Sequence, residues 1–258
     1  MKKLFLILSA VVFMATLTPS LYAQETYEQV VSKANNGDTS AQYSLAVMYE
    51  TGKGIEKNLA EARKWYETAA KAGHIKAQEN ISRMSYDGLG GPKDFNAAFY
   101  WDTLSANAGS PVGQQGLGYL YEHGEGTNVN LDLAVYWYKK AVDQGSPAAM
   151  HNLGMLYYFG KGVPQNYAIA RDFFEKTSKE GNDVGQYYLG VMYRDGLGVP
   201  KDIIKALFWL TLSYDNWNPD ATEAYPAVKA SLTDQQVKEV LIRVDQYYID
   251  NPNAEPWF

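Results

Sequence analysis

Leu153 to Val163 read LGMLYYFGKGV, and the same figure returns along the chain at a fixed interval of 36 residues. Leu153 has counterparts in Leu45, Ile81, Leu117 and Leu189. Four residues earlier stand Ala41, Ala77, Gly113, Ala149 and Gly185. Four residues later come Tyr49, Tyr121, Tyr157 and Tyr193, a column that Ser85 alone breaks. A Gly-x-Gly pair follows in every copy, from Gly52/Gly54 to Gly196/Gly198. Each copy then carries Trp65, Trp101, Trp137, Phe173 or Trp209, and Gly73, Gly109, Gly145 and Gly181 close the first four. No insertion interrupts the register. Self-similarity of this length and period is the signature of a solenoid, in which each unit buries its apolar side only against its neighbours.

Within a unit, the apolar residues at spacings of four mark one stripe of a helix. Asp38, Ser110, Ser146, Asn182 and Asn218 precede the stripe as N-caps, with His74 the weak member of the column. Pro111, Pro147 and Pro219 sit where a missing N–H costs nothing. Gly-x-Gly ends this first helix, because glycine enters the left-handed conformation that a helix C-terminus favours. Asn58, Asp94, Asn130, Asn166 and Asp202 then open a second helix. Small residues such as Ala62, Ala98, Ala134, Ala170 and Ala206 allow close approach, and the in-register tyrosines and tryptophans are assigned to the core.

The expected architecture is all-α, a right-handed α-solenoid of helix-turn-helix units. Residues 38–217 hold five repeats beginning at 41, 77, 113, 149 and 185, preceded by a half-repeat at 24–37. Capping helices occupy 218–249, where Thr233 and Gln236 form a capping box, and 250–258 is a tail.

The first 23 residues read differently. Lys2 and Lys3 precede an apolar run from Leu4 to Met14, too short for the roughly 20 residues a bilayer span needs. A cleavable signal peptide ending at Ala23 is expected, and with it a periplasmic or secreted protein that keeps no membrane anchor. Removing Lys2 and Lys3 takes the formal charge from −6 to −8, which argues against nucleic acid as partner. The chain of 258 residues has no Cys, so disulfides, thiolate metal sites and a cysteine nucleophile are excluded.

The pattern A-x-x-x-L-G-x-x-Y-x-x-G-x-G-V-x-x-D, followed by A-x-x-W-Y-x-K-A-A and a closing glycine, resembles the Sel1-like repeat, a relative of the tetratricopeptide repeat. Tyr193 to Asp202 (YRDGLGVPKD) and Leu153 to Val163 carry it most closely, whereas the second unit departs with Ser82 at the usual Gly and Ser85 at the usual Tyr. The resemblance implies an α-solenoid whose concave face binds proteins or peptides, often in exported bacterial proteins, and implies no shared catalytic residue. A cysteine-rich secreted branch has been linked to β-lactams, but its cysteines are absent here.

Motifs for catalysis are lacking. H-E-x-x-H, G-x-S-x-G and G-x-x-x-x-G-K-[ST] do not occur. The Gly-x-Gly pairs follow helices rather than strands, so they read as turns and not as phosphate loops. His74, His123 and His151 fall at three different places in the unit, and no cofactor or metal is expected. Glu122 and Glu125 read as solvated charge rather than a glycosidase dyad.

Residues two, six and nine beyond the opening Ala lie opposite the packed stripe at 100° per residue. From these positions the candidate partner-binding residues are Tyr43, Arg83, Tyr86, Tyr119, Glu122, His151, Tyr158, Tyr187 and Arg194. Tyr, Arg and His are the residue types that interface hot spots use. The expected function is a non-enzymatic exported adaptor for an envelope protein or peptide, with an inhibitor or immunity protein as one form. An envelope enzyme, a β-lactam-interacting protein and a glycan binder are the alternatives.

Overall fold

The computed structural model describes residues 26–251, and all regular elements among them are helices. The expected signal peptide and the tail beyond Asn251 lie outside the described residues. A lone α1 (Tyr27–Asn35) precedes five hairpins. These are α2 (Thr39–Thr51) with α3 (Leu59–Lys71), α4 (Ile75–Asp87) with α5 (Phe95–Asn107), and α6 (Pro111–His123) with α7 (Leu131–Asp143). They continue as α8 (Pro147–Phe159) with α9 (Tyr167–Ser178) and α10 (Asp183–Asp195) with α11 (Ile203–Asp215). Two further helices, α12 (Pro219–Ala230) and α13 (Asp234–Asp250), complete the series.

Caps fix where each helix begins. The side chains of Asp38, Ser110, Ser146, Asn182 and Asn218 accept first-turn N–H groups of the first helices and of α12. Asn58, Asp94, Asn130, Asn166 and Asp202 do the same for the second helices. His74, expected to cap weakly, nevertheless caps α4. Its Nδ1 accepts the Ala77 N–H at 3.2 Å, which requires the neutral ring, and burial lowers its pKa in the direction that keeps it so.

The two glycines of each pair have different duties. The first ends its helix at φ +73 for Gly52 and +71 for Gly124. From the second unit onward, the second lets consecutive units meet. A Cβ on Gly90 would lie 2.1 Å from the Leu59 carbonyl oxygen, and one on Gly126 would lie 2.1 Å from that of Phe95.

Each helix packs on the next from α1 to α12, and α13 folds back onto α11, an all-α solenoid closed at its C-terminal end. The side chains of Val240 and Val244 on α13 join Leu207, Leu210 and Val228 in one cluster. The hydroxyl of Tyr247 donates to the Ser178 carbonyl at 2.9 Å. Ala62, Ala98, Ala134, Ala170 and Ala206 are fully buried, as their column predicts.

The aromatic columns differ from expectation. Trp65, Trp137, Phe173 and Trp209 are only half-buried, as are Tyr49, Tyr121, Tyr157 and Tyr193. The deepest position belongs to the following residue, Tyr66, Tyr138, Phe174 or Leu210. This residue lies directly over the first helix of its own unit. There a glycine makes room: a Cβ on Gly118 would come within 2.7 Å of Tyr138, and one on Gly154 within 2.9 Å of Phe174. Trp65, Trp137 and Trp209 lie at the margin of the contact, whereas Trp101 is buried as its column predicts.

Candidate partner-binding face

The first helices set their side chains against those of the next unit. Arg83 on α4 pairs with Glu50 on α2. The hydroxyl of Tyr86 on α4 donates to that of Tyr119 on α6 at 3.3 Å, with the rings edge to face at 5.9 Å. Ser110, at the start of α6, donates to Glu79 on α4 at 2.5 Å. Near the C-terminal end, Asn218 donates to Asp183 on α10 at 2.8 Å. These links join residues 31–35 positions apart and make one surface from successive units.

The nine expected residues fall into three groups. Tyr43, Arg83, Tyr86, Tyr119, Tyr187 and Arg194 reach solvent while holding defined neighbours. Tyr43 stacks on His74 at 4.5 Å, Tyr119 on His123 at 4.0 Å, and the Arg194 guanidinium is clasped by Asp195 at 2.7 and 2.8 Å. That pairing holds the Asp195 carboxyl below its usual range. Tyr187 and Arg194 line an open pocket of about 480 Å³ with Asp220 and Glu223.

Glu122 and His151 form the second group, half-buried and turned toward their own units. Glu122 accepts the Tyr138 hydroxyl at 2.9 Å, just as Glu50 accepts that of Tyr66 at 2.6 Å. The His151 ring lies 6.3 Å from Phe174, its Nδ1 buried without a hydrogen-bond partner, and burial lowers its pKa.

Tyr158 stands by itself and corrects the expectation. It is 9% exposed and packs among Tyr167, Phe174 and Tyr188 at ring separations of 5.2, 6.2 and 4.7 Å. Burial pushes its pKa up to about 12. The ninth position lies opposite the stripe in a single-helix projection. In the folded unit it leans on the deepest residue of the second helix, and such a projection contains no second helix. An aromatic pair there becomes core, whereas a Glu finds a tyrosine hydroxyl.

Two sets of residues escape the sequence reading. Gln42, Gln78, Gln114 and Gln186 follow the opening small residue, and each is buried. Each donates through Nε2 to a carbonyl at the end of the preceding second helix, at 3.2, 3.2, 3.3 and 3.3 Å. They add a second bond to carbonyls of the helix terminus that already accept the N–H of Gly37, Gly73, Gly109 or Gly181, and Met150 breaks the column. The other is Asp102, a carboxylate in the column of Tyr66, Tyr138, Phe174 and Leu210. Only 8% exposed, it lies at the base of a second pocket, of about 360 Å³, between α4, α5 and α6. Both columns are readable from the 36-residue register.

Comparison with known proteins identifies the unit. The Sel1 repeat family matches residues 39–74, 75–110, 111–146, 147–182 and 184–216, well over half of the chain. The chain belongs to the Sel1 repeat family. A solved Sel1 repeat protein from Oxalobacter formigenes is 27% identical, with a TM-score of 0.68 over 76% of this chain and 84% of its own. Among curated proteins, DAP3-binding cell death enhancer 1 of Rattus norvegicus is 36% identical over 59 residues, which are 23% of this chain and 12% of that protein. Chitin synthase regulator SKT5 of Saccharomyces cerevisiae is 44% identical over 46 residues, 18% of this chain and 7% of that protein. This chain therefore spans only a small part of the length of those curated relatives. Among the described residues, no helix of this Sel1 repeat protein is long and apolar enough to cross a membrane.

Proposed function

We propose that this Sel1 repeat protein is an exported, non-enzymatic scaffold that binds a protein or peptide of the cell envelope along its first-helix surface, the concave face of the solenoid. The observation that carries this reading is the character of the surface. Tyr43, Arg83, Tyr86, Tyr119, Tyr187 and Arg194 are amphipathic side chains held by stacking, ion pairing or burial. Ordering them costs little further entropy on binding, which is how preorganised surfaces gain affinity. A surface kept only for solubility would carry free Lys, Glu and Ser. The names of two curated relatives, one DAP3-binding and one a chitin synthase regulator, agree with a role directed at other proteins. Export rests on the charged start and apolar run of residues 2–14.

A pull-down from envelope extract with the wild type and a Tyr43→Ala/Tyr187→Ala variant tests the reading. Loss of specific proteins by a variant of unchanged helicity supports it, and equal recovery by both overturns the assignment of the surface. If a recovered enzyme loses activity when the chain binds, the role is inhibitory; if its activity is unchanged, the role is that of an adaptor. Export is checked by expressing the full chain in a bacterial host, where the intact mass of the envelope fraction should begin at Gln24.

A further inference from the structure

The second unit departs from the others at positions that face one another. Four units place a large side chain at the deepest position of the second helix, Tyr66, Tyr138, Phe174 or Leu210; the second unit places Asp102 there. Three of those four set a glycine beneath it, Gly118, Gly154 or Gly190, and each glycine is in tight contact with the large residue. The second unit has Ser82 in that place. The third residue beyond the opening small one, taken from the next unit, covers the deep position from above. Tyr188 stacks on Phe174 at 5.5 Å, whereas Gly116 stands over Asp102 and carries no side chain. A Cβ there would lie 2.3 Å from Asp102 Oδ2. The outcome is a hole lined by Glu79, Arg83, Tyr86, Gln115 and Tyr119, with the carboxyl of Asp102 at its base.

The charges around the hole favour a cation. Arg83, its positive group, is already paired with Glu50. Glu79 and Asp102 remain, and Tyr86 and Tyr119 supply aromatic faces that attract cations. Burial, with Glu79 adding to it, raises the Asp102 pKa to about 7, so a cation arriving beside it would draw the proton off.

We infer that the Asp102 pocket takes the ammonium or guanidinium end of a basic side chain of the partner, filling the space that an aromatic ring fills in the neighbouring units. This deepens the protein-binding role and rests on it for the source of the basic group. A buried carboxylate meeting a single cationic anchor at the centre of the surface would act as its hot spot.

The pocket can be tested without the partner. Nα-acetyl-arginine amide is titrated into the full chain and followed by amide NMR, with Nα-acetyl-glutamate amide as the comparison. The expected result is saturable shifts at residues 82–86, 102 and 115–119 for the arginine probe alone. Affinity should rise at least tenfold from pH 5.5 to pH 8 as Asp102 ionises, in a pocket it shares with Glu79, Arg83, Tyr86 and Tyr119. Asp102→Asn should remain folded and lose the binding. The paired variant Ser82→Gly/Asp102→Tyr, which rebuilds the contact of the third unit, should lose it too. Equal binding of the glutamate probe, or arginine binding that survives both variants, overturns the inference. Because the probe needs no partner, failure of the pull-down and failure of the pocket are separate results.

Discussion

Asp102 shows how one buried residue can set a stability profile. A carboxyl whose pKa is raised by folding takes up its proton more readily in the folded chain than in the unfolded one. Stability is therefore highest below the unfolded pKa, near 3.8, and declines as the pH climbs toward about 7. Each tenfold gain in proton affinity is worth about 1.4 kcal/mol, so the loss amounts to a few kcal/mol. Asp102→Asn should abolish this slope and raise the denaturation midpoint at pH 8, as urea titrations at pH 5 and pH 8 will show. A variant that is less stable than the wild type at pH 8 would contradict the account. The Gln column makes the opposite kind of contribution. Truncating Gln114 removes one of two bonds to the Ala106 carbonyl, which keeps the Gly109 N–H, and takes away the acceptor of Gln144, so Gln114→Ala should cost about 1 kcal/mol in urea unfolding. A change within about 0.5 kcal/mol would show the bond to be dispensable, as the natural Met150 is in its own unit.

At the scale of the helix, the punctuation is legible in the sequence and the depth of burial is not. Caps such as Asn58 and Asp202, and stops such as Gly52 and Gly196, are local signals whose chemistry acts within one turn, so the chain order alone exposes them. Depth depends on a second helix crossing the first. For that reason the bulky Trp65 and Trp137 read as core, whereas their neighbours Tyr66 and Tyr138 occupy it. Tyr158 reads as part of the open face for the same reason. Asp102 is visible as a break in a column, but its meaning requires Gly116 from the following unit. Contact between units also gives the second glycine of the last four pairs its importance. Gly126→Ala should lower the melting temperature more than Gly54→Ala, even though both positions have positive φ. Any side chain at Gly126 meets the Phe95 carbonyl, whereas a Cβ at Gly54 has only Met48 within 4 Å, at 3.7 Å. Left-handed strain of roughly 1–2 kcal/mol applies to each, and the difference between them measures the packing of one unit on the next. Equal melting temperatures would remove that role.

Across the whole molecule, identical scaffolding leaves only the off-register positions free to vary. The stack is readable because five units repeat the same caps, turns and small residues. The proposed binding surface is readable in part: Tyr43, Arg83, Tyr86, Tyr119, Tyr187 and Arg194 reach solvent, Glu122 and His151 turn toward their own units, and Tyr158 is core. Second helices carry exposed aromatics as well, Tyr100 and Tyr136, which makes a comparison of the two sides decisive. Site-specific photo-crosslinking places a benzoylphenylalanine at Tyr43, Tyr119 or Tyr187 on the first helices, or at Tyr100 or Tyr136 on the second, in cells exporting the full chain. The account predicts discrete partner adducts from the first set and none from the second. Adducts from Tyr100 and Tyr136 with none from the first helices would contradict it.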